Sequence, residues 1–353
     1  MLGKRQAFSF LCRSYGFENH QENESLAIDL TRGGNMTRKG WLLFTAMSVI
    51  WGIPYLFIKI AVQELDPIVV VFARVGIAAL ALLPVAVHQG VLRRLRERWL
   101  TVAALACVQI AGPFLLISYG EQLIASSLTS LLIAADPLLV VLFALRFDPS
   151  ERVSGSRLIG LLIGLGGVVT LLGLDAGGDM QQLLGATLVL LAAAGYAAGA
   201  LLIKRPTIAA LPSLGVVTVE CITATVVLAP LAVTRLPSRI PDLEVIASLL
   251  VLGLICTALA YLLFFALVAE VGAGRGSVIT YVNPAVSVLL GVTLLAEPLN
   301  AVIIAGFLLI IVGSWLSTGG VLPPQLKHLL RTTRQQPISR DTEVSELAAP
   351  PRK

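Results

Sequence analysis

Ten apolar runs of about 20 residues follow one another between residues 41 and 318, and they limit the fold more than any other feature of the chain. A helix of that length crosses the hydrocarbon of a bilayer. The runs are 41–63, 67–88, 99–119, 124–146, 157–174, 183–204, 212–233, 245–268, 276–296 and 299–318. They are rich in Leu and Ala and show no period-2 alternation, so helices are expected rather than barrel strands. Charged residues make up only 13% of the 353 positions, against about 25% in a soluble domain. Twenty-six basic and 21 acidic residues cannot coat a soluble protein of this size, which excludes an ordinary soluble enzyme, a disulfide scaffold and a disordered chain. The expected class is an all-α membrane protein with ten spanning helices, and the lipid bilayer is its first partner.

Other chemistries find no support. The net charge of +5 is spread over short loops and two tails without a continuous basic face, so no nucleic acid is expected as a partner. Cys12, Cys107, Cys221 and Cys256 form no CxxC pair, and the last three lie inside apolar runs, where they read as buried small hydrophobes. His20, His88 and His328 are scattered without ligand spacing. No metal or cofactor is expected. Neither a nucleophile elbow nor a phosphate-binding glycine loop is present, and an enzyme is not expected.

The flanks differ from the middle. Residues 1–40 are polar and of mixed charge and form an extension expected to be disordered. Met36-Thr37-Arg38-Lys39-Gly40 reads as a natural start for the first span, which makes residues 1–35 a dispensable addition. Residues 321–353 begin near Pro323-Pro324 and read as a solvated, disordered tail. Lys and Arg are retained on the cytoplasmic side of membrane proteins. Ten spans leave both tails on one side, and that side collects 22 of the 26 basic residues. The opposite loops hold only Arg235 and Arg239, while Lys59 and Arg74 fall within spans. Both termini are therefore expected in the cytoplasm.

The chain also repeats itself, with halves at 41–174 and 183–318 that superpose at an offset of about 146 residues. Trp51 to Lys59 matches Tyr196 to Lys204, and Pro67 matches Pro212. Ala135-Asp136-Pro137 matches Val282-Asn283-Pro284, while Glu151, Gly160 and Gly167 match Glu297, Gly306 and Gly313. Five spans per half are an odd number, so the second half enters the membrane from the opposite side. Such an inverted-topology repeat puts a substrate site near the midplane between the halves and suits a device that opens alternately to two sides.

With these residues in view, the chain resembles the EamA-type members of the drug/metabolite transporter superfamily over about residues 36–320. The resemblance rests on Trp51-Gly52 with Lys59, on Arg74, on Pro137 and Glu151, and on their second-half counterparts Pro284, Ala296-Glu297-Pro298, Gly306 and Gly313. It implies ten helices, cytoplasmic termini, two related five-helix halves, and movement of small organic solutes, often outward and often against protons. Asp136 and Glu220 match no family-wide motif.

Charges left inside the bilayer cost roughly 3 kcal/mol or more each and need a reason. Asp136 lies midway along the fourth run, next to Pro137, which frees backbone there. Desolvation favours its protonated form, so it reads as a proton or cation site, with a hydrogen bond to a neighbouring helix as the alternative. Glu220, near mid-depth in the seventh run, reads as a binding or coupling group, or as a structural ion-pair partner of Arg74. Arg74 has the matching alternatives. Asn283 takes the repeat position of Asp136 and reads as a solute hydrogen-bonder or as interhelical glue. Trp51, Tyr196, Ser130 and Thr280 are candidate cavity walls, with plain packing as the other reading. Pro137 and Pro284 are expected to kink their helices. Lys59 and Lys204 are expected to snorkel to headgroups at opposite faces. Glu151 and Glu297 are expected at helix ends, and Glu121 and Glu270 at wetted loop edges. Gly160-x3-Gly164 and Gly195-x3-Gly199 permit close helix contact.

The expectation is a secondary transporter working by alternating access, foremost a proton-coupled exporter of amino acids or related metabolites. Efflux of cationic amphiphiles, uptake of a small metabolite, and a non-transporting scaffold or sensor are the alternatives. The expected location is a plasma membrane of bacterial type, as monomer or homodimer.

Overall fold

The computed structural model describes residues 36–147, 156–173, 180–272, 276 and 278–318. The 1–35 extension, Glu151, Arg152, Arg275, Ser277 and the 321–353 tail lie outside the described residues. Each apolar run forms a helix: α1 Arg38–Ala61, α2 Pro67–His88, α3 Trp99–Leu123, α4 Ser126–Arg146 and α5 Ser156–Gly173. The order continues with α6 Met180–Ile203, α7 Ser213–Val233, α8 Leu243–Val271, α9 Ile279–Leu294 and α10 Ala301–Ser317. Among the described residues there is no strand. Seven of these helices are long and apolar enough to cross a membrane, and the apolar parts of α5, α9 and α10 run 10–17 residues. At 1.5 Å per residue, 16 or 17 residues reach about 25 Å, short of the roughly 30 Å hydrocarbon core.

Local chemistry explains where the helices start and break. Asp66 caps α2 by accepting from the Ile68 amide at 2.9 Å, with Pro67 in the first turn, where a missing N–H costs nothing. Asn300 caps α10 through the amides of Val302 and Ile303. α1 is not the continuous helix its apolar run suggests: it breaks at Trp51-Gly52-Ile53 ahead of Pro54. α4 breaks at Ala134-Ala135, so that Asp136-Pro137 opens its second part. Pro284 sits inside a continuous α9, so the matched prolines act differently in the two halves. α3 and α8 each contain a π-helical stretch, Cys107–Ala111 and Val251–Leu259, an insertion frequent at functional sites. Cys221 and Cys256 are buried, but Cys107 is exposed on its π-helical stretch, contrary to the expectation from its apolar surroundings.

Glycines set the closest helix pair, α5 with α10. A Cβ on Gly160 would strike Leu316 and Ser317, one on Gly313 would strike Gly164, and one on Gly167 would meet Ile310 and Gly306. Residue numbers rise on one helix as they fall on the other, so these two equivalent helices run antiparallel. α2 and α7 do the same, with Asp66 against Arg235 at one end and Gly76 against Thr225 further in. The α2–α7 pair forms a core of Val71, Val75, Leu82, Val217 and Leu228, which Ile110 of α3 joins. Outward-facing Leu80, Leu162, Val169, Leu191 and Val226 stay exposed, as a lipid-facing surface requires.

Backbone contact at Gly313 leaves no room for a side chain. Gly313→Val is expected to destabilise the α5–α10 seam by about 1–3 kcal/mol or more. A thermal melt of the detergent-solubilised variant checks this, and an unchanged Tm counts against the seam.

Candidate functional site

A cavity of about 110 Å³ opens where the two breaks and the two matched Asp/Asn-Pro sites meet. Tyr55 from α1, Ser130, Ile133, Ala134, Asp136 and Pro137 from α4, Tyr196 from α6, and Thr280, Asn283 and Pro284 from α9 line it. Seven of the candidates drawn from the sequence converge here, from both halves of the chain. The α4 break explains the placement of Asp136. The new helix starts at the carboxylate, whose charge is favoured near a helix N-terminus. Oδ1 of Asp136 is buried without a hydrogen-bond partner. Ser130 donates to the Ser127 carbonyl at 2.8 Å. With its amide turned so that nitrogen donates, Asn283 reaches the carbonyls of Ser48 at 3.1 Å and Ile279 at 2.8 Å. Asn283 thus ties α9 to α1 while facing the cavity. Tyr55 was missed in the sequence because its half has no tyrosine at the position matching Tyr196.

Trp51, a candidate wall, lies outside this lining and packs on Phe264 at 4.9 Å and Tyr261 at 6.1 Å between ring centroids. Arg74 and Glu220 also lie outside it, and they do not pair. Arg74 is 7% exposed; its Nε donates to Thr257 Oγ1 at 3.0 Å and its guanidinium sits 3.8 Å over the Phe114 ring. Thr257 donates to the Leu252 carbonyl within the π-helical stretch of α8, and Phe114 follows that of α3. Among the described residues no carboxylate forms an ion pair with Arg74. Glu220 is 1% exposed and its Oε1 has no partner. The antiparallel register explains the failed pairing. Extending the Asp66–Arg235 and Gly76–Thr225 matches puts Glu220 opposite Ala81, about seven residues or roughly 10 Å along α2 from Arg74. Equivalent positions of an antiparallel pair recede from its centre in opposite directions. Tyr55 and Tyr196 line the same cavity as Asp136.

The sequence matches the model of the EamA-like transporter family twice, over residues 38–173 and 183–319. The chain belongs to the EamA-like transporter family. An uncharacterized transporter of Archaeoglobus fulgidus is 29% identical over 79% of this chain and 98% of its own length. The inner membrane transporter YedA of Escherichia coli, also uncharacterized, is 26% identical over 77% of this chain and 90% of its own. A "probable amino-acid metabolite efflux pump" of E. coli is 26% identical over 81% of this chain and 97% of its own. A crystal structure with 21% identity aligns over 79% of this chain and 96% of its own at a TM-score of 0.58, a likeness of fold.

In this EamA-family chain a second polar group forms at the α3–α4 turn, and it departs from expectation at Lys59 and Glu121. Lys59 does not snorkel: its ammonium donates to the carbonyls of Glu121 at 2.5 Å and Ile124 at 2.8 Å, closing the C-terminal end of α3. Glu121 is not wetted: it is 0% exposed and neither carboxyl oxygen has a partner. Glu297 does sit at a helix end, but at that of another helix, accepting from the amides of Ser126 at 2.7 Å and Ser127 at 2.9 Å at the start of α4. Ala296 adopts φ 53°, the left-handed turn that ends α9 and sends Glu297 back over Gly291, where a Cβ would strike its carboxylate. Glu270 lies at the surface, bound to Thr37 at 2.7 Å and Lys39 at 3.1 Å. Lys204 is half-buried.

Burial pushes the Glu297 carboxyl up, but hydrogen bonds from Ser127 and Ser126 outweigh it and hold the group below its ordinary 4.5. Its stabilisation is complete above pH 4.5 and fades as the pH falls through the lowered value. Glu297→Gln is expected to cost about 1–2 kcal/mol at pH 7 and less at pH 3. Melting curves at both values check it; an equal loss at both contradicts the cap.

Proposed function

We propose that this transporter exports amino acids or closely related zwitterionic metabolites across a bacterial plasma membrane, by alternating access, in exchange for protons. Ten spans in two inverted five-helix halves form the frame, with both termini in the cytoplasm. The antiparallel runs of α2 against α7 and of α5 against α10, each pair repeat-equivalent, support the inversion. The excess of Lys and Arg on one side supports the orientation.

One observation carries the reading: Asp136, whose Oδ1 is buried without a partner, lines a cavity formed by both halves at their matched Pro sites. Such a carboxyl can hold a proton or an ammonium group, but not both. Arg74, buried outside this lining and in no ion pair among the described residues, is the proposed complement for a solute carboxylate. Tyr55 and Tyr196 offer hydroxyl groups to a small polar body. Asn283, Thr280 and Ser130 complete the polar lining. The volume of about 110 Å³ is small beside the roughly 300 Å³ of an open ligand pocket. The Escherichia coli relative described as an efflux pump for amino-acid metabolites supports the same class and direction.

Mechanistically, outward movement ends with the solute ammonium leaving Asp136 as a proton takes its place. The neutral acid then permits return of the empty, dry cavity, and release of the proton to the cytoplasm restores the site. The test is counterflow in proteoliposomes loaded with a panel of unlabelled amino acids. Trapping of a labelled amino acid supports the reading, trapping of a cationic dye instead points to amphiphile efflux, and no trapping by folded protein points to a scaffold.

A further inference from the structure

The α3–α4 turn holds a buried acid that the transport cycle above does not use. Glu121 has no exposed surface and no hydrogen bond on either carboxyl oxygen. An ionised carboxylate in such a place is an unpaired buried charge, which costs several kcal/mol, and the neutral acid avoids that cost. A cation nonetheless stands beside it. Lys59 spends its ammonium on the backbone carbonyls of Glu121 itself and of Ile124. The other charged or titratable groups that face Glu121 are Glu297 from the α9–α10 turn, Arg74 from α2 and Tyr55 from α1. Glu297 is already committed to the Ser126 and Ser127 amides, and Arg74 to Thr257 and Phe114.

We infer that Glu121 is a second proton-binding site, whose deprotonation recruits Lys59 from the α3 carbonyls and unlatches the turn Ile124-Ala125 that starts α4. With Glu121 protonated, three devices hold the turn shut: Lys59 on the end of α3, Glu297 on the start of α4, and the packing of Gly291 under Glu297. Loss of the proton leaves a carboxylate one side chain away from an ammonium that bonds only to carbonyls. An ion pair between them is the favoured outcome in a dry site, since a buried carboxylate left unpaired costs several kcal/mol and an adjacent cation relieves that cost. The carbonyls of Glu121 and Ile124 then lose their cation, and the turn between α3 and α4 opens. The latch takes from the proposed function only its orientation, which puts this turn on the outer face, where Arg235 and Asp66 also close the bundle.

The experiment places a single cysteine in the turn as Ala125→Cys, in full-length protein whose native cysteines are replaced by alanine, reconstituted in proteoliposomes. A membrane-impermeant maleimide reports exposure, with each rate divided by that of the unfolded protein at the same pH. From pH 5 to pH 8 the normalised rate is expected to rise about tenfold or more with Glu121 and Lys59 intact. Glu121→Gln is expected to hold it flat at the low-pH rate, and Lys59→Met to flatten it as well, because the ionised acid has no partner. A flat profile with both residues present, or a full rise in either folded variant, overturns the latch. If Glu121→Gln does not fold, Lys59→Met decides alone. No solute is needed, so the two proposals fail separately: labelling that responds to pH without solute flux removes only transport, and flux with flat labelling removes only the latch.

Discussion

Asp136→Asn is expected to collapse the solute gradient that a pH difference drives and to weaken solute-for-solute exchange, because the amide offers the solute ammonium no charge. One proton exchanged per solute across about 2 pH units sustains a concentration ratio of about 100, since each pH unit is worth a factor of ten. An amide at position 136 keeps the shape and the hydrogen-bonding capacity of the acid but holds no proton, so the ratio falls towards one. Accumulation of labelled amino acid in proteoliposomes, with and without the pH difference, reads this directly. An unchanged ratio in Asp136→Asn means that the proton is carried elsewhere. Glu220 is then the group to test as Glu220→Gln, since it too is buried with an unpartnered oxygen.

Arg74→Met is expected to weaken solutes that bear a carboxylate while sparing their amides or esters. Thr257 and Phe114 hold the guanidinium in one orientation, so little further ordering is needed when an anion arrives. Losing one partner of a buried charge pair costs about 2–5 kcal/mol, or roughly 30-fold or more in affinity. The checkable quantity is the ratio of affinities for an amino acid and for its amide, by thermal shift or competition. In Arg74→Met this ratio is expected to approach one, and Arg74→Lys, which keeps the charge, is expected to recover part of it. A ratio that does not move in Arg74→Met would mean that Arg74 only braces the π-helical stretches of α3 and α8.

Much of this architecture is legible in the chain. The α2 limits follow from Asp66-Pro67 and from the end of the apolar run, and the matched Asp136-Pro137 and Asn283-Pro284 drew attention to residues that do share one cavity. What escaped reading has a physical cause in each case. The Arg74–Glu220 pair looked natural because the two occupy equivalent positions, but antiparallel packing separates equivalent positions along the axis. Lys59 and Glu121 looked like helix-end charges bound for water. Their depth is set by the α3–α4 turn folding over them and by Glu297 arriving from the α9–α10 turn more than 170 residues away, as its bonds to Ser126 and Ser127 record. The breaks near Trp51 and Ala134 were only half legible: a proline marks each, while Pro284 marks none. The short helix α9 ends just before Ala296, which turns left-handed, a conformation its residue type does not announce.

The central claim is a seam between two oppositely inserted halves that opens to one side at a time. Ser130 lines that seam and is 1% exposed in this conformation, and Ser130→Cys places a thiol there. Its labelling by an impermeant maleimide, applied from either side of proteoliposomes of uniform orientation, tests the claim most directly. Reaction from each side is expected, with added solute shifting the balance between the two. A thiol reached from one side alone, or from neither, under every solute and pH condition would contradict it.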